Sequence, residues 1–315
     1  MKLRDIEFRN VLGASGVQGF FGEGYWFHRL PFRKPNFTNM TFVSKTATLL
    51  PRNGNMKLTN NFTPKKFFPS CVKVKFWRGL MLNAVGLSNP GICALLATGN
   101  WQKRTKPFWI SIMSLADTPK RRLEELRIIV EIIEFCKDSF LAPFGLQINL
   151  SCPNTGHNSS ELIGESEKVL EIASSLGVPL MLKYSIASAQ ILSIMKLNNH
   201  PACDAICVSN SLPFGWRGID WERTWGSKNS PLANLGGGGL SGKALRPLVC
   251  NWIERLRDAG FTKPINGGGG ILCPYDMYCY QYAGASSIFL GSIAVLRPHR
   301  VKDIIDYANK FKWAD

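Results

Sequence analysis

The chain reads as an α/β protein, a (β/α)8 TIM barrel with inserted hairpin and loop segments. Three observations predict it. Short β-type runs alternate with helical runs about eight times along the chain. Glycine clusters follow the last strands rather than the first. No Gly/Pro/Ser-rich linker or low-complexity tract divides the 315 residues, and barrels commonly fill about 250 residues as one unit. We therefore expect one domain over 1–315, with a basic insert at 48–80 and a loop insert at 212–235. A doubly wound parallel sheet has the same alternation and is the competing architecture.

Taken in order, residues 11–13, 41–47, 108–114, 144–150, 179–184, 205–209, 263–266 and 287–290 carry the strand character. Residues 120–137, 166–176, 189–197, 243–259 and 275–282 read as helices. Within 243–259, Leu245, Leu248, Val249, Trp252, Ile253 and Leu256 recur at helical spacing and make one apolar face.

Composition narrows the function classes. No apolar run approaches the roughly 18 residues of a membrane span, and the opening MKLRDIEFRN has no apolar centre of a secretory signal. Nine cysteines scattered without a framework fit a reducing compartment. No C-x-x-C occurs and there are only four histidines, which argues against a metal or iron–sulfur site. A cytoplasmic protein with no membrane partner is expected. The +16 net charge would attract anions. In 57–78, KLTNNFTPKKFFPSCVKVKFWR, basic and aromatic residues interleave. A nucleic-acid surface would use that mixture, but a solvated hairpin would look the same and is the commoner case.

The chemistry concentrates in Ile148-Asn149-Leu150-Ser151-Cys152-Pro153-Asn154, where an apolar strand ends in a thiol flanked by asparagines. α/β enzymes place their chemistry at such strand ends, whereas structural cysteines usually sit inside apolar runs. The glycines then point to a phosphate-bearing ligand. Gly236-Gly237-Gly238-Gly239-Leu240-Ser241-Gly242 leads towards the helix beginning near Lys243, Gly267-Gly268-Gly269-Gly270 follows the seventh strand, and Gly291-Ser292 the eighth. Glycine lets backbone N–H groups approach phosphate oxygens, and barrels commonly hold a phosphate between the loops after strands seven and eight. There is no Walker A ending and no G-x-G-x-x-G after the first strand, which excludes those nucleotide sites.

Together these strings resemble the class 1 dihydroorotate dehydrogenases, FMN-dependent enzymes of pyrimidine synthesis. The likeness runs through Ala14-Ser15-Gly16, Ser44-Lys45-Thr46, 82–91, 149–154, Leu182-Lys183, Ser209-Asn210-Ser211, 232–242, 267–270 and Gly291-Ser292. Cysteine within Asn-Leu-Ser-Cys-Pro-Asn is the mark of class 1 in this resemblance. The Ala-Asn…Gly-Gly-Leu-Ser-Gly stretch leans to the subgroup that pairs with an electron-transfer subunit. The resemblance implies oxidation of dihydroorotate to orotate, with Cys152 taking the C5 proton as the C6 hydride moves to N5 of FMN. It implies that Lys45, Asn83, Val85, Gly86, Leu87, Asn149, Asn154, Asn210 and Ser211 bind the substrate. Ala14, Ser15, Gly16, Ser44, Lys45, Asn149, Lys183, Ser211, Gly242, Gly269, Gly270, Gly291 and Ser292 would bind FMN. A homodimer, and either an electron-transfer subunit or a small-molecule acceptor, complete what it implies. The residue types suit these roles: paired amides fit a pyrimidine edge, ammonium groups fit a carboxylate or a reduced flavin, and a thiol can serve as base.

Some features depart from the family's pattern. Ser111-Ile112-Met113-Ser114 lacks the glycine usual near the flavin, the insert at 48–80 is longer and more basic, and Trp216, Trp221 and Trp225 have no assigned role. His157 reads as a loop histidine. Two other classes fit parts of the chain. A transfer-RNA dihydrouridine synthase would explain the charge, but its cysteine motif usually has glycine before Cys-Pro and lacks the following asparagine. A non-catalytic basic barrel that binds nucleic acid would have no need of the polar strand ends.

Overall fold

Strands Phe108–Ile112, Phe144–Asn149 and Leu180–Tyr184 are buried at every position, as expected of parallel strands covered on both faces. They sit in a computed structural model that describes residues 1–30, 34–151 and 163–313. Numbering all strands in chain order, β1 is Lys2–Leu3, β2 Ile6–Glu7, β3 Val11–Gly13, β4 Val72–Lys75 and β5 Leu80–Asn83. The next are β6 (Phe108–Ile112), β7 (Phe144–Asn149), β8 (Leu180–Tyr184) and β9 (Ala205–Val208). Last come β10 (Leu212–Pro213), β11 (Gly239–Gly242), β12 (Ile265–Gly267) and β13 (Ser287–Leu290).

Seven strands form one parallel sheet in the order β3-β13-β12-β9-β8-β7-β6. Residues 41–47 span the remaining gap. Thr41 bridges Leu12 of β3, while Val43 and Ala47 bridge Trp109 and Ile112 of β6. The hydrogen bonds Thr41 N to Val11 O (2.9 Å) and Ser44 N to Trp109 O (2.9 Å) carry the closure. The sheet therefore meets itself as a (β/α)8 barrel, and the doubly wound alternative is set aside.

Alternation along each strand decides what points inward. Leu12, Val43, Trp109, Met181, Cys207 and Phe289 pack together at the closed end of the barrel with Leu3 and Phe8, brought there by the β1–β2 hairpin. Gly145 accommodates the Trp109 indole, since a Cβ there would stand 2.5 Å from the ring. Four residues beyond Gly145 on β7 and two beyond Met181 on β8, the same inward rows reach Asn149 and Lys183, which are register partners.

The outer helices follow the sequence closely. Thr118 caps Pro119–Cys136 by accepting from Arg121 N at 3.4 Å, with proline at the first helical position. In Leu245–Asp258, Leu245, Val249, Trp252, Ile253 and Leu256 are buried as their spacing predicts, and the Trp252 indole donates to Ala189 O (2.9 Å). Helices Ile92–Ala97 and Val301–Lys310 were not foreseen.

The largest difference lies at the mouth. Gly239–Gly242 is a strand, not a loop running straight into a helix; it belongs to a four-stranded antiparallel sheet, β10-β11-β5-β4. Gly242 has φ +104, and a Cβ on it would come within 2.2 Å of Gly79 O. Only glycine lets β11 lie this close to the start of β5. The basic insert thus ends in the expected hairpin, and the loop at 212–235 joins that hairpin in one sheet.

Candidate active site

A cavity of about 790 Å³ opens where the C-terminal strand ends meet this antiparallel sheet. Such a volume is at the large end of the roughly 300–1,000 Å³ usual for ligand sites. Its floor is polar. The Asn210 side-chain amide donates to Asn149 Oδ1 at 2.8 Å and to Ser151 O at 3.2 Å, and the Ser151 N–H donates to Asn149 Oδ1 at 3.3 Å. Those bonds join the ends of β7 and β9 and fix both amide planes. The Lys45 ammonium lies 4.7 Å from the Phe20 ring centroid and donates to Ser88 O. Lys183 stands over the Phe289 ring at 5.7 Å. Its register partner Cys207 is pushed up to about 12 by burial, which the nearby Lys183 charge only partly offsets. That thiol is inert packing.

Of the residues implied by the resemblance, the cavity wall brings together Ala14, Ser15, Gly16, Lys45, Asn83, Val85, Gly86, Leu87, Asn149, Lys183, Asn210, Ser211, Gly269, Gly270, Gly291 and Ser292. Ser44 and Gly242 stand away from it. Ser44 is fully buried behind the wall, where its hydroxyl accepts from Ser111 N at 2.9 Å and its carbonyl accepts from the Ser15 hydroxyl at 3.0 Å. Gly242 serves the β5–β11 contact described above. Cys152, Asn154 and His157 lie outside the described residues. Met113 is buried and stays off the cavity wall, so the departure in 111–114 leaves the lining intact.

The glycine loops suit a phosphorylated planar group. Gly269 and Gly270 line the cavity with φ +129 and +78, and Gly291 is packed so close to Ala14 that a Cβ would stand 3.0 Å from that side chain. Bare backbone after β12 and β13 therefore faces a cavity that also holds Lys183, a donor set suited to FMN.

Several lining residues had not been singled out. Thr46 bonds the Ser15 hydroxyl (2.7 Å) and the Ser111 hydroxyl (3.0 Å), tying the wall between β3 and β6. The Tyr25 hydroxyl donates to Gly16 O at 2.6 Å, holding the first glycine loop. Trp26, Phe27 and His28 join it on the wall. The aromatic run 25–28 was the available signal. His28 Nδ1 accepts from Tyr25 N at 3.3 Å, and burial among Tyr25, Phe27 and Phe37 brings the imidazole down to about 4, so it is neutral near pH 7. Two of the unassigned tryptophans are structural. Trp221 packs on Phe214 with ring centroids 4.1 Å apart and donates to Trp216 O at 3.0 Å, while the Trp225 ring lies 4.9 Å from Lys75 Nζ of the hairpin.

A closed barrel with a glycine-lined mouth and two lysines at polar strand ends defines a (β/α)8-barrel flavoenzyme. The sequence model of the dihydroorotate dehydrogenase family matches residues 1–311, and the chain belongs to that family. The catalytic subunit of dihydroorotate dehydrogenase B (NAD(+)) from Anoxybacillus flavithermus is 29% identical over 312 residues, 97% of this chain and 88% of the relative. Dihydroorotate dehydrogenase A (fumarate) from Limosilactobacillus reuteri is 26% identical over 309 residues, 95% and 88% of the two chains. The ligand-free DHODH structure from Eimeria tenella shares the fold at TM-score 0.69 and 19% identity, covering 100% of this chain and 89% of that one.

Proposed function

We propose that this chain oxidises dihydroorotate to orotate with FMN, the dehydrogenation step of pyrimidine synthesis. The observation that carries the reading is the convergence of Lys45, Asn83, Asn149, Lys183 and Asn210 with the glycine loops on one cavity. Bound FMN supplies the acceptor for the hydride leaving C6 of the substrate. Asn149 and Asn210, already locked to each other, present amide groups to the ring edge, with Asn83 and Ser211 completing the set. Lys45 pairs with the substrate carboxylate. Lys183 stabilises the negative charge that builds up on reduction.

Cys152 removes the C5 proton in this reading. It directly follows Ser151, which is buried at the end of β7 within the Asn149–Asn210 network. A base at that strand end suits a ring bound against the two asparagines. The chain acts as a single FMN-binding barrel, cytoplasmic and homodimeric. The two bacterial relatives bear different acceptors in their names, fumarate and NAD(+). The GGLSG stretch at 238–242 favours the second arrangement, with an electron-transfer subunit receiving the electrons.

Mixing the FMN-loaded protein anaerobically with dihydroorotate tests the reaction. Flavin absorbance bleaches within the dead time or shortly after, and Cys152→Ala bleaches at least about a hundredfold more slowly while retaining flavin. Equal rates would remove the thiol from the mechanism, and no bleaching in wild type would remove dihydroorotate. Rapid reoxidation by added fumarate would rule out the subunit-dependent route.

A further inference from the structure

From residue 24 to residue 116 the chain has no Asp or Glu and carries fourteen of its 38 Lys and Arg. The rest of the chain is close to balanced, with 24 basic residues against 22 acidic ones. Nearly all of the excess charge therefore belongs to one stretch, whose segments 25–30 and 64–87 contribute to the cavity wall and its rim. Trp26 holds two of its parts together: the indole N–H donates to Phe67 O at 2.6 Å, and its ring meets Phe67 and Phe68 edge-on at 5.1 Å each. Outward from that clasp, Phe67 is 67% exposed, Phe68 81% and Trp77, in the β4–β5 turn, 98%. Phe76 and Val295 line both the main cavity and a smaller one of about 310 Å³ that includes Trp77, so the turn borders the same opening. Lys65, Lys66 and Lys73 are exposed beside these rings.

Large rings kept in water on a folded surface mark a contact surface. Here they stand on a loop and a hairpin turn at the rim of the cavity, with most of each ring left to solvent, an arrangement suited to entering a soft interface. Exposed rings together with lysines are the composition of interfacial membrane anchors, and the sign of the charge matches an anionic leaflet. A single-stranded nucleic acid would need ring faces arrayed along a basic groove. The wall behind these rings is instead apolar, made by Leu30, Val72, Val74, Met81 and Val295.

We propose that this rim docks the protein on the surface of an anionic lipid bilayer. Phe67, Phe68 and Trp77 enter the headgroup layer, and Lys65, Lys66 and Lys73 pair with lipid phosphates. The absence of a spanning run led to the expectation of no membrane partner, but surface attachment needs no span. Among the described residues no helix is long and apolar enough to cross a membrane.

Cosedimentation of the full chain with vesicles tests the proposal without turnover, so its failure leaves the catalytic reading untouched. At about 0.1 M salt the wild type sediments with phosphatidylcholine vesicles containing phosphatidylglycerol and stays in solution with phosphatidylcholine alone. Phe68→Ser/Trp77→Ser and, separately, Lys65→Glu/Lys66→Glu each lower the partition coefficient at least about tenfold. Unchanged melting temperatures show that the variants fold, and the charge pair keeps the test valid if the aromatic pair does not. Wild type that ignores both vesicle types, or variants that bind as well as wild type, would overturn the proposal. Binding of a single-stranded oligonucleotide without vesicle binding would overturn it in favour of a nucleic-acid surface.

Discussion

The barrel wall and the antiparallel sheet across its mouth solve the same pairing problem with different means. The wall closes on itself, so each strand has two neighbours, and inward side chains from β3, 41–47, β6, β8, β9 and β13 pack on one another. The mouth sheet has two open edges, and β10 is only two residues long. It is held through glycine at Gly242, the tilted ring pair of Phe214 and Trp221, and one lysine over Trp225. Rigid groups of the site, Asn149 and Lys183, come from the wall; Asn83 and the apolar lining Val72, Val74 and Met81 come from the mouth sheet. The comparison separates what positions the chemistry from what covers it.

The largest expected effect probes the wall's outer shell. Arg122 is buried and bonds Glu165 through Nε at 3.2 Å and through a second nitrogen at 2.5 Å, while also donating to Ala116 O and Asp117 O at 3.2 Å each. Arg122→Ala leaves a buried carboxylate without its guanidinium and costs about 3–5 kcal/mol, read from the shift of the urea unfolding midpoint. A loss under about 1 kcal/mol would mean that Glu165 finds water or another partner. The next effect tests the mouth through pH. His28 falls from 6.5 to about 4 on folding, so the unfolded chain takes up the proton first. Its contribution is fully present above pH 6.5 and is lost as pH falls towards 4, reaching about 3 kcal/mol there. His28→Gln flattens that part of the stability curve relative to wild type; parallel curves would contradict it.

Gly242→Ala comes next, at about 2–3 kcal/mol. A methyl group at φ +104, 2.2 Å from Gly79 O, must push β11 away from β5. Because Asn83 ends β5 and donates to Gly239 O at 3.4 Å, the same displacement weakens substrate binding. Far-ultraviolet dichroism, dominated by the barrel and its helices, stays near wild type. Loss of barrel signal together with the mouth would show that the two regions unfold as one.

The difference between the regions also explains what could be read from the sequence. Wall strands such as Phe144–Asn149 are continuous apolar runs, and helix Leu245–Asp258 repeats its apolar positions every three or four residues, so local pattern identifies both. The segment 41–47 was legible by the same route, although its pairing is broken into single bridges. The mouth sheet offers no such pattern. Leu80–Asn83 pairs with Gly239–Gly242 across more than 150 residues, and four residues rich in glycine look like a loop until the partner is known. For the site, residues in compact strings at strand ends, such as Lys45, Asn149 and Lys183, were readable, because alternation alone carries them inward. Tyr25, Trp26 and His28 were not, since the single 3-10 turn Trp26–Arg29 is too short to show a period from which to infer a face.

The smallest effect isolates the link between the two inserts. Lys75 of β4 donates to Trp225 O and stands 4.9 Å from the Trp225 ring, and nearby Arg78 donates to Thr224 O at 3.2 Å. These contacts join the basic hairpin to the short helix Trp221–Trp225 of the tryptophan loop. Lys75→Met keeps most of the side-chain volume and removes the charge, so it costs about 0.5–1 kcal/mol. The arginine bonds remain, and for that reason the mouth sheet persists and catalysis with a soluble acceptor changes little. What changes is local: amide exchange of β4 and of 221–226 quickens together while β7 and β8 exchange as before. Faster exchange in β4 alone would mean that the two inserts are neighbours in space without being coupled, and that the mouth is two independent flaps over one rigid barrel.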